Sequence, residues 1–238
     1  MVFAVVLAGG KGSRMGNSDT PKQFLMLGKS PIIIQTVEKF YINPKFEKVI
    51  VLCPEQWVSH TSNMLCKSIS DDSRVTVIKG GSTRNETLYN AIKYIEENYG
   101  IDDDTIIVTH DAVRPFVTHR IIEENIQAAM EFGACDTVIP ATDTIVQSND
   151  GTTINSVPNR SELFQGQTPQ SFKAKRLKEL YESLTDDEKD IMTDACKIFA
   201  IKGEPVHLVQ GEVFNMKITY PFDLRVAQTM IEGAITND

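Results

Sequence analysis

Short apolar runs alternate with longer amphipathic stretches from the N-terminus to residue 140. The strand-like runs fall at 2–7, 49–53, 75–78, 105–109 and 134–140, and the helical patterns at 31–41, 56–68, 83–98 and 118–132. Apolar strands flanked by helices predict an α/β, Rossmann-like architecture, a mostly parallel sheet covered by helices on both faces. Loops at the strand carboxyl ends would then form the ligand crevice. The rhythm breaks after Ala141. Residues 142–148 and 152–157 alternate in strand fashion around Asn149-Asp150-Gly151, a hairpin signal, so a β-arm at about 142–166 is expected to protrude from the sheet. Helices resume at 173–183 and 190–200, short strands follow at 206–209 and 213–218, and Pro221 opens a last helix. A chain of 238 residues can bury one core, so 1–238 reads as a single domain with an arm.

The first strand runs directly into Gly9, Gly10 and Gly12 and then presents Lys11, Arg14 and Lys22. Glycines let backbone N–H groups approach phosphate oxygens, and the cations would neutralise charge developing on a departing pyrophosphate. This is the pattern of a polyphosphate cradle, although a glycine turn that merely joins strand to helix has the same core. Two better-known phosphate motifs fail on spacing. A dinucleotide fingerprint beginning at Gly10 needs a third glycine where Met15 stands, and the P-loop ending imitated by Gly28-Lys29-Ser30 needs a glycine where Gln23 stands. Hydride transfer and Walker-type ATP hydrolysis are disfavoured, and a nucleoside triphosphate is the expected ligand.

The formal net charge of −8 argues against a nucleic-acid coat or an anionic membrane surface, so a phosphate site must be a local basic pocket. No apolar run approaches spanning length and the N-terminus has no signal-type stretch, which predicts a cytoplasmic protein without a membrane partner. Cys53, Cys66, Cys135 and Cys196 lie far apart with no metal-ligand spacing, and neither zinc nor disulfides are expected.

Three further segments carry polar residues to strand ends. Thr109-His110-Asp111-Ala112-Val113-Arg114-Pro115 follows an apolar strand, placing Asp111 where a magnesium ion arriving with a triphosphate could be held; a helix N-cap is the bland alternative. His110 reads as a residue that orients the loop by hydrogen bonds. Gly80-Gly81-Ser82-Thr83-Arg84-Asn85-Glu86-Thr87 makes a second glycine turn toward the crevice, where Ser82 and Thr87 could meet a base or ribose, or could simply turn the chain. Lys217, in Asn215-Met216-Lys217-Ile218-Thr219, is either a phosphoryl contact or a solvated edge charge.

Taken in order, LAGGKGSRMG, PKQF, GGSTRNET, THDAVRPF, QTPQSF, TDACK and NMKITYPFDL resemble the cytidylyltransferases acting on polyol phosphates, over nearly the whole chain. That family includes methylerythritol phosphate and ribitol 5-phosphate enzymes. The wording HDAVRPF, DTVIPATDTIV and FQGQTPQSF resembles the ribitol branch, which makes CDP-ribitol for teichoic acid or capsule. The resemblance implies a magnesium-dependent homodimer using CTP and a polyol phosphate. It assigns Arg14, Lys22 and Lys217 as catalytic cations, and Leu7, Ala8, Gly9, Gly10, Lys11, Gly12, Gly81, Ser82, Arg84 and Thr87 to CTP. Asp111, Arg114, Thr144, Arg160 and Thr168 fall to the acceptor, with Asp111 also holding the metal and Arg160 reaching a partner's site from the arm. A sugar-1-phosphate nucleotidyltransferase would use a similar first loop, but QTPQ and NMKIT favour the polyol branch. A non-catalytic nucleotide-binding regulator fits poorly with Lys22, Asp111 and Lys217 all being present.

Overall fold

The computed structural model describes residues 1–10, 15, 20–69, 73–190 and 194–235. Its main sheet contains β1 (Val2–Leu7), β4 (Lys48–Cys53), β5 (Val75–Lys79), β6 (Ile106–Asp111), β7 (Ala134–Pro140), β8 (Phe164–Lys173) and β9 (His207–Gln210), in the order β5-β4-β1-β6-β8-β7-β9. Neighbours are parallel except that β8 runs against both β6 and β7. A two-stranded ribbon of β2 (Met26–Leu27) and β3 (Ser30–Pro31) lies outside the sheet.

Alternation of side chains across the central strands sorts the core into two layers. Ala4, Val6, Val51 and Val108 face one way, against α1 (Ile32–Tyr41), α2 (Val58–Ser68) and α4 (His119–Phe132). Phe3, Val5, Ile50, Ile107 and Phe172 face the other, against α3 (Arg84–Tyr99), α5 (Ala174–Glu182) and α7 (Ala195–Ile201). A third cluster of Leu27, Ile32, Val113, Ile218 and Ala227 fastens α8 (Pro221–Ile235) beside the carboxyl end of β6. Local signals set the helix ends. Thr83 and Thr118 accept the N–H groups of Glu86 and Ile121, and Gly133, at φ +86°, ends α4 in the left-handed conformation one residue before β7 begins.

Three expectations need correction. The arm is not a ladder of two strands: it holds one isolated bridge, Gln147 to Ser156. The Asp150 carboxylate accepts the N–H groups of Thr152 and Thr153, both at 2.8 Å, and Asn155 Oδ1 accepts that of Asn149, so side chains occupy donors that a ladder would use. The segment 213–218 is irregular: its Asn215 and Ile218 N–H groups bond carbonyls outside the sheet, and its Asn215 and Ile218 carbonyls accept from the Arg114 and Lys22 side chains. The helix expected at 190–200 is instead α6 (Asp186–Asp190) and α7, the latter capped by Asp194, whose side chain accepts the Cys196 N–H.

Candidate active site at the carboxyl ends of β1 and β6

A cleft of about 340 Å³ opens over the carboxyl ends of β1 and β6 and the start of α3. Leu7, Ala8, Gly9 and Gly10 line one side, Gly81, Ser82, Arg84 and Thr87 another, and Lys22, Asp111 and Lys217 complete it. The volume lies within the usual range for small-molecule sites. Lys11, Gly12 and Arg14 lie outside the described residues.

Asp111 is the electrostatic centre. Its side chain is 7% exposed and meets three cations: Arg84, Lys217 (Nζ to Oδ2, 2.8 Å) and Arg114 (Nε to Oδ2, 3.7 Å). Burial alone would raise its pKa, but Arg84, Lys217 and Arg114 together hold it well below the usual carboxylate range. One carboxylate against three cations leaves a local excess of positive charge in a chain that is acidic overall. A pocket in that state is prepared for a polyanion.

Lys217 reaches Asp111 because its strap is pinned on both sides. Ile218 N–H donates to Val113 O (2.9 Å), Arg114 Nη1 to Asn215 O (2.8 Å), and Asn215 Nδ2 to Thr168 O (2.9 Å). Lys22 Nζ donates to Ile218 O at 2.9 Å. Lys22 is therefore 7% exposed, not the open crevice cation its sequence context suggests, because the short 3₁₀ turn Lys22–Phe24 folds it under the strap. Lys217 is 40% exposed. Gln23, to which the sequence assigns no role of its own, is buried in the cleft wall and holds the end of β1 by donating to Ala8 O at 2.8 Å.

The second glycine turn is shaped by close approach. A Cβ on Gly81 would lie 2.5 Å from the Glu86 side chain, whose carboxylate accepts the Ser82 N–H at 2.7 Å. Thr87 Oγ1 accepts the Gly81 N–H (2.9 Å) and donates to Thr83 O (2.7 Å), so this hydroxyl shapes the turn that lines the cleft.

The acceptor residues inferred from resemblance divide into two groups. Thr168 and Arg114 are buried behind Asp111 and do not line the cleft: Asp111 N–H donates to Thr168 Oγ1 at 3.2 Å, and Arg114 backs the carboxylate. Thr144 and Arg160 are exposed in the arm, outside this chain's cleft, where Arg160 Nη1 donates to Thr142 O at 3.0 Å. Asp111 ends β6, and the cap of α4 is Thr118, so the N-cap alternative for Asp111 in that helix is overturned. His110 is fully buried, with Nε2 3.0 Å from Arg114 O and Nδ1 3.0 Å from Thr168 Oγ1. A carbonyl only accepts, so Nε2 carries the proton and Nδ1 accepts from the threonine. Burial lowers its pKa to about 4, leaving a neutral ring whose two nitrogens are both engaged.

Asp111 is the one carboxylate lining the cleft among the described residues, and no cluster of three or more potential metal ligands occurs among them. That donor set fits magnesium bound chiefly through substrate phosphates and one protein oxygen.

Fold and cleft together define a Rossmann-like α/β protein with a cationic ligand site at the carboxyl ends of its parallel strands. Solved structures share this architecture. The 2-C-methyl-D-erythritol 4-phosphate cytidylyltransferase (IspD) of Francisella tularensis has a TM-score of 0.79 at 25% identity, covering 96% of this chain and 98% of that one. The 4-diphosphocytidyl-2C-methyl-D-erythritol synthase of Anaerococcus prevotii has a TM-score of 0.78 at 23% identity, covering 97% and 96%. The Thermus thermophilus 2-C-methyl-D-erythritol 4-phosphate cytidylyltransferase has a TM-score of 0.71 at 23% identity, covering 96% and 98%. Residues 2–233 match the family described as IspD: 2-C-methyl-D-erythritol 4-phosphate cytidylyltransferase, and the chain belongs to that family. Its general reaction is cytidylyl transfer. No helix among the described residues is long and apolar enough to cross a membrane.

Proposed function

We propose that the chain transfers the cytidylyl group of CTP to D-ribitol 5-phosphate, giving CDP-ribitol and pyrophosphate, for use in teichoic acid or capsule synthesis. The observation that carries the chemistry is the Asp111 centre, where Arg84 and Lys217 converge in the cleft. An acceptor phosphate oxygen attacks the α-phosphorus of CTP, a new P–O bond forms, and the bond to the β-phosphate oxygen breaks as pyrophosphate leaves in line. A phosphate monoester has its second pKa near 6, so the acceptor is mostly dianionic at neutral pH and needs little help from a base. This agrees with a site of cations in which His110 is neutral and engaged.

In this reading Lys217, beside Asp111, neutralises charge on the reacting phosphate, and Lys22, bonded to Ile218 O, fixes the strap that carries it. Asp111 would hold magnesium entering with the triphosphate; the ion, when bound, supplies further neutralisation of phosphate charge. In this reading Lys11 and Arg14 belong to the same triphosphate site. The arm, with Ile145, Val146, Ile154 and Val157 exposed, is proposed to pack on a second copy and to present Arg160 to that copy's acceptor. Ribitol as acceptor rests on the wording of HDAVRPF, DTVIPATDTIV and FQGQTPQSF. A second reading, 2-C-methyl-D-erythritol 4-phosphate, is supported by the family description and by the Francisella structure.

Pyrophosphate release measured for four nucleoside triphosphates against ribitol 5-phosphate, 2-C-methyl-D-erythritol 4-phosphate, ribulose 5-phosphate and glycerol 3-phosphate separates the two. CTP with ribitol 5-phosphate is expected to turn over fastest. Preference for methylerythritol phosphate would select the second reading, and preference for a purine triphosphate would overturn the base assignment.

A further inference from the structure

On the cleft wall formed by the second glycine turn, the direction of each hydrogen bond follows from its partner. The Thr87 hydroxyl accepts the Gly81 N–H at 2.9 Å and gives its own proton to Thr83 O at 2.7 Å, because a carbonyl can only accept. The Ser82 hydroxyl donates to Glu86 Oε2, and the same oxygen accepts the Ser82 N–H at 2.7 Å. Those two bonds hold the Glu86 carboxyl below the usual carboxylate range, so it is ionised at neutral pH and has no proton to return. The N–H groups of Gly80 and Thr87 are spent as well, on Cys53 O at 2.8 Å and Thr83 O at 3.0 Å. Gly81, Ser82 and Thr87 line the cleft, whereas Glu86 stands behind it. These three residues therefore have only lone pairs left for a ligand.

We propose that Glu86 sets the choice of base from behind the wall: by holding the Ser82 proton it fixes Ser82 as an acceptor, which favours a pyrimidine bearing an amino group over one bearing an oxo group in its place. The inference rests on the reading of the cleft as the nucleotide site of a cytidylyltransferase. A wall of acceptors repels phosphate oxygens, so the triphosphate goes to Arg84 and Lys217 beside Asp111, and the base is left to the turn. Cytosine carries an amino donor where uracil carries an oxo acceptor. The amino group meets a lone pair of Ser82. The oxo group would face that lone pair with another, and neither oxygen would have a proton to share. Released from Glu86, the Ser82 hydroxyl can rotate and donate, and the distinction weakens. Glu86 thus acts through Ser82, as a positioning residue that touches no substrate.

The test measures binding of CTP, UTP and deoxy-CTP by titration calorimetry, with magnesium and without an acceptor. The proteins compared are the parent, Glu86→Ala, Glu86→Gln, Ser82→Ala and the double variant Glu86→Ala with Ser82→Ala. The parent is expected to bind CTP about 100-fold more tightly than UTP. Glu86→Ala and Ser82→Ala should each narrow that ratio about tenfold, and the double variant should narrow it no further than Ser82→Ala does. Glu86→Gln keeps an oxygen that accepts from Ser82 and should restore most of the ratio. Ser82 is exposed, so Ser82→Ala preserves the test if the loss of Glu86 disturbs the start of α3. A folded Glu86→Ala protein that discriminates as the parent does, a double variant whose losses add, or a changed preference between CTP and deoxy-CTP at an unchanged UTP ratio, the sign of a ribose contact, would overturn the proposal. A parent that binds CTP and UTP alike would overturn it too. A parent that binds neither sinks the underlying reading as well, an outcome visible before any variant is made.

Discussion

The floor of the cleft and the arm are built in opposite ways. Around Asp111, partners come from distant parts of the chain: Lys22 meets Ile218, Arg114 meets Asn215, and Arg84 and Lys217 meet Asp111 itself. In the arm, Asp150, Asn155 and Arg160 bond to residues of the arm itself, while Ile154 and Val157 stay exposed. The described floor is held by bonds between distant parts of one chain, the kind of preorganisation that electrostatic catalysis uses. Among the described residues nothing covers Ile145, Val146, Ile154 and Val157 of the arm, which is the reason for proposing that it packs on a second copy.

The contrast breaks or sharpens first at the two lysines. Lys217→Ala should lower kcat/KM by roughly 10²-fold or more while moving the melting temperature little, since the half-exposed ammonium is replaced at the end of a strap held by other bonds. Lys22→Ala should lower both activity and melting temperature, because the buried ammonium leaves Ile218 O without its donor. Steady-state kinetics beside thermal melting decide the matter. A Lys22→Ala protein that melts like the parent would show that the strap does not depend on it.

A smaller effect is expected in the arm. Arg160→Ala should raise the acceptor KM about tenfold and leave the CTP KM and the melting temperature near their parent values, as befits an exposed charge far from the cleft floor. Mixing Arg160→Ala with Lys217→Ala subunits should restore activity, because one site of each mixed dimer would then have both residues intact. No recovery after verified subunit exchange would show that Arg160 does not act across the interface.

Legibility in the sequence follows the same division. Strands such as Val2–Leu7 and helices such as His119–Phe132 were readable because their buried faces are apolar and periodic. β8 was not read as a strand: Gln167, Thr168, Gln170 and Ser171 are all buried there, yet polar, because they bond to Asn215, His110, Asp136 and Asn125. No periodicity of hydrophobicity reveals a strand whose interior is a hydrogen-bond network. Asp111, Lys217 and the glycine turns stood out by residue type at strand ends, whereas the burial of Lys22, Arg114 and Thr168 depends on a strap from the far end of the chain. In the arm, Asn149-Asp150-Gly151 correctly marked a turn, with Gly151 at φ +72°, but the Asp150 side chain took the donors that would have extended it into strands.

The smallest expected effect is a pH dependence of stability in which two buried groups pull in opposite directions. His110 has its pKa lowered to about 4 by burial, so the unfolded chain binds a proton below about 6.5 that the folded chain refuses, and stability falls as pH drops through that interval. Asp136 has its pKa raised to about 7, chiefly by burial, so between about 4 and 7 the folded chain holds a proton that the unfolded chain has lost, and stability falls as pH rises. Asp111, held below the usual range by its cations, adds stability above about pH 4 that is lost in stronger acid. Asp136→Asn removes the limb on the rising side. Relative to the parent, its melting temperature should be nearly unchanged at about pH 4 and higher by a few degrees at about pH 8, with the gain growing between them. A gain that is constant across pH, or absent at pH 8, would mean that burial does not hold a proton on Asp136 in the folded chain.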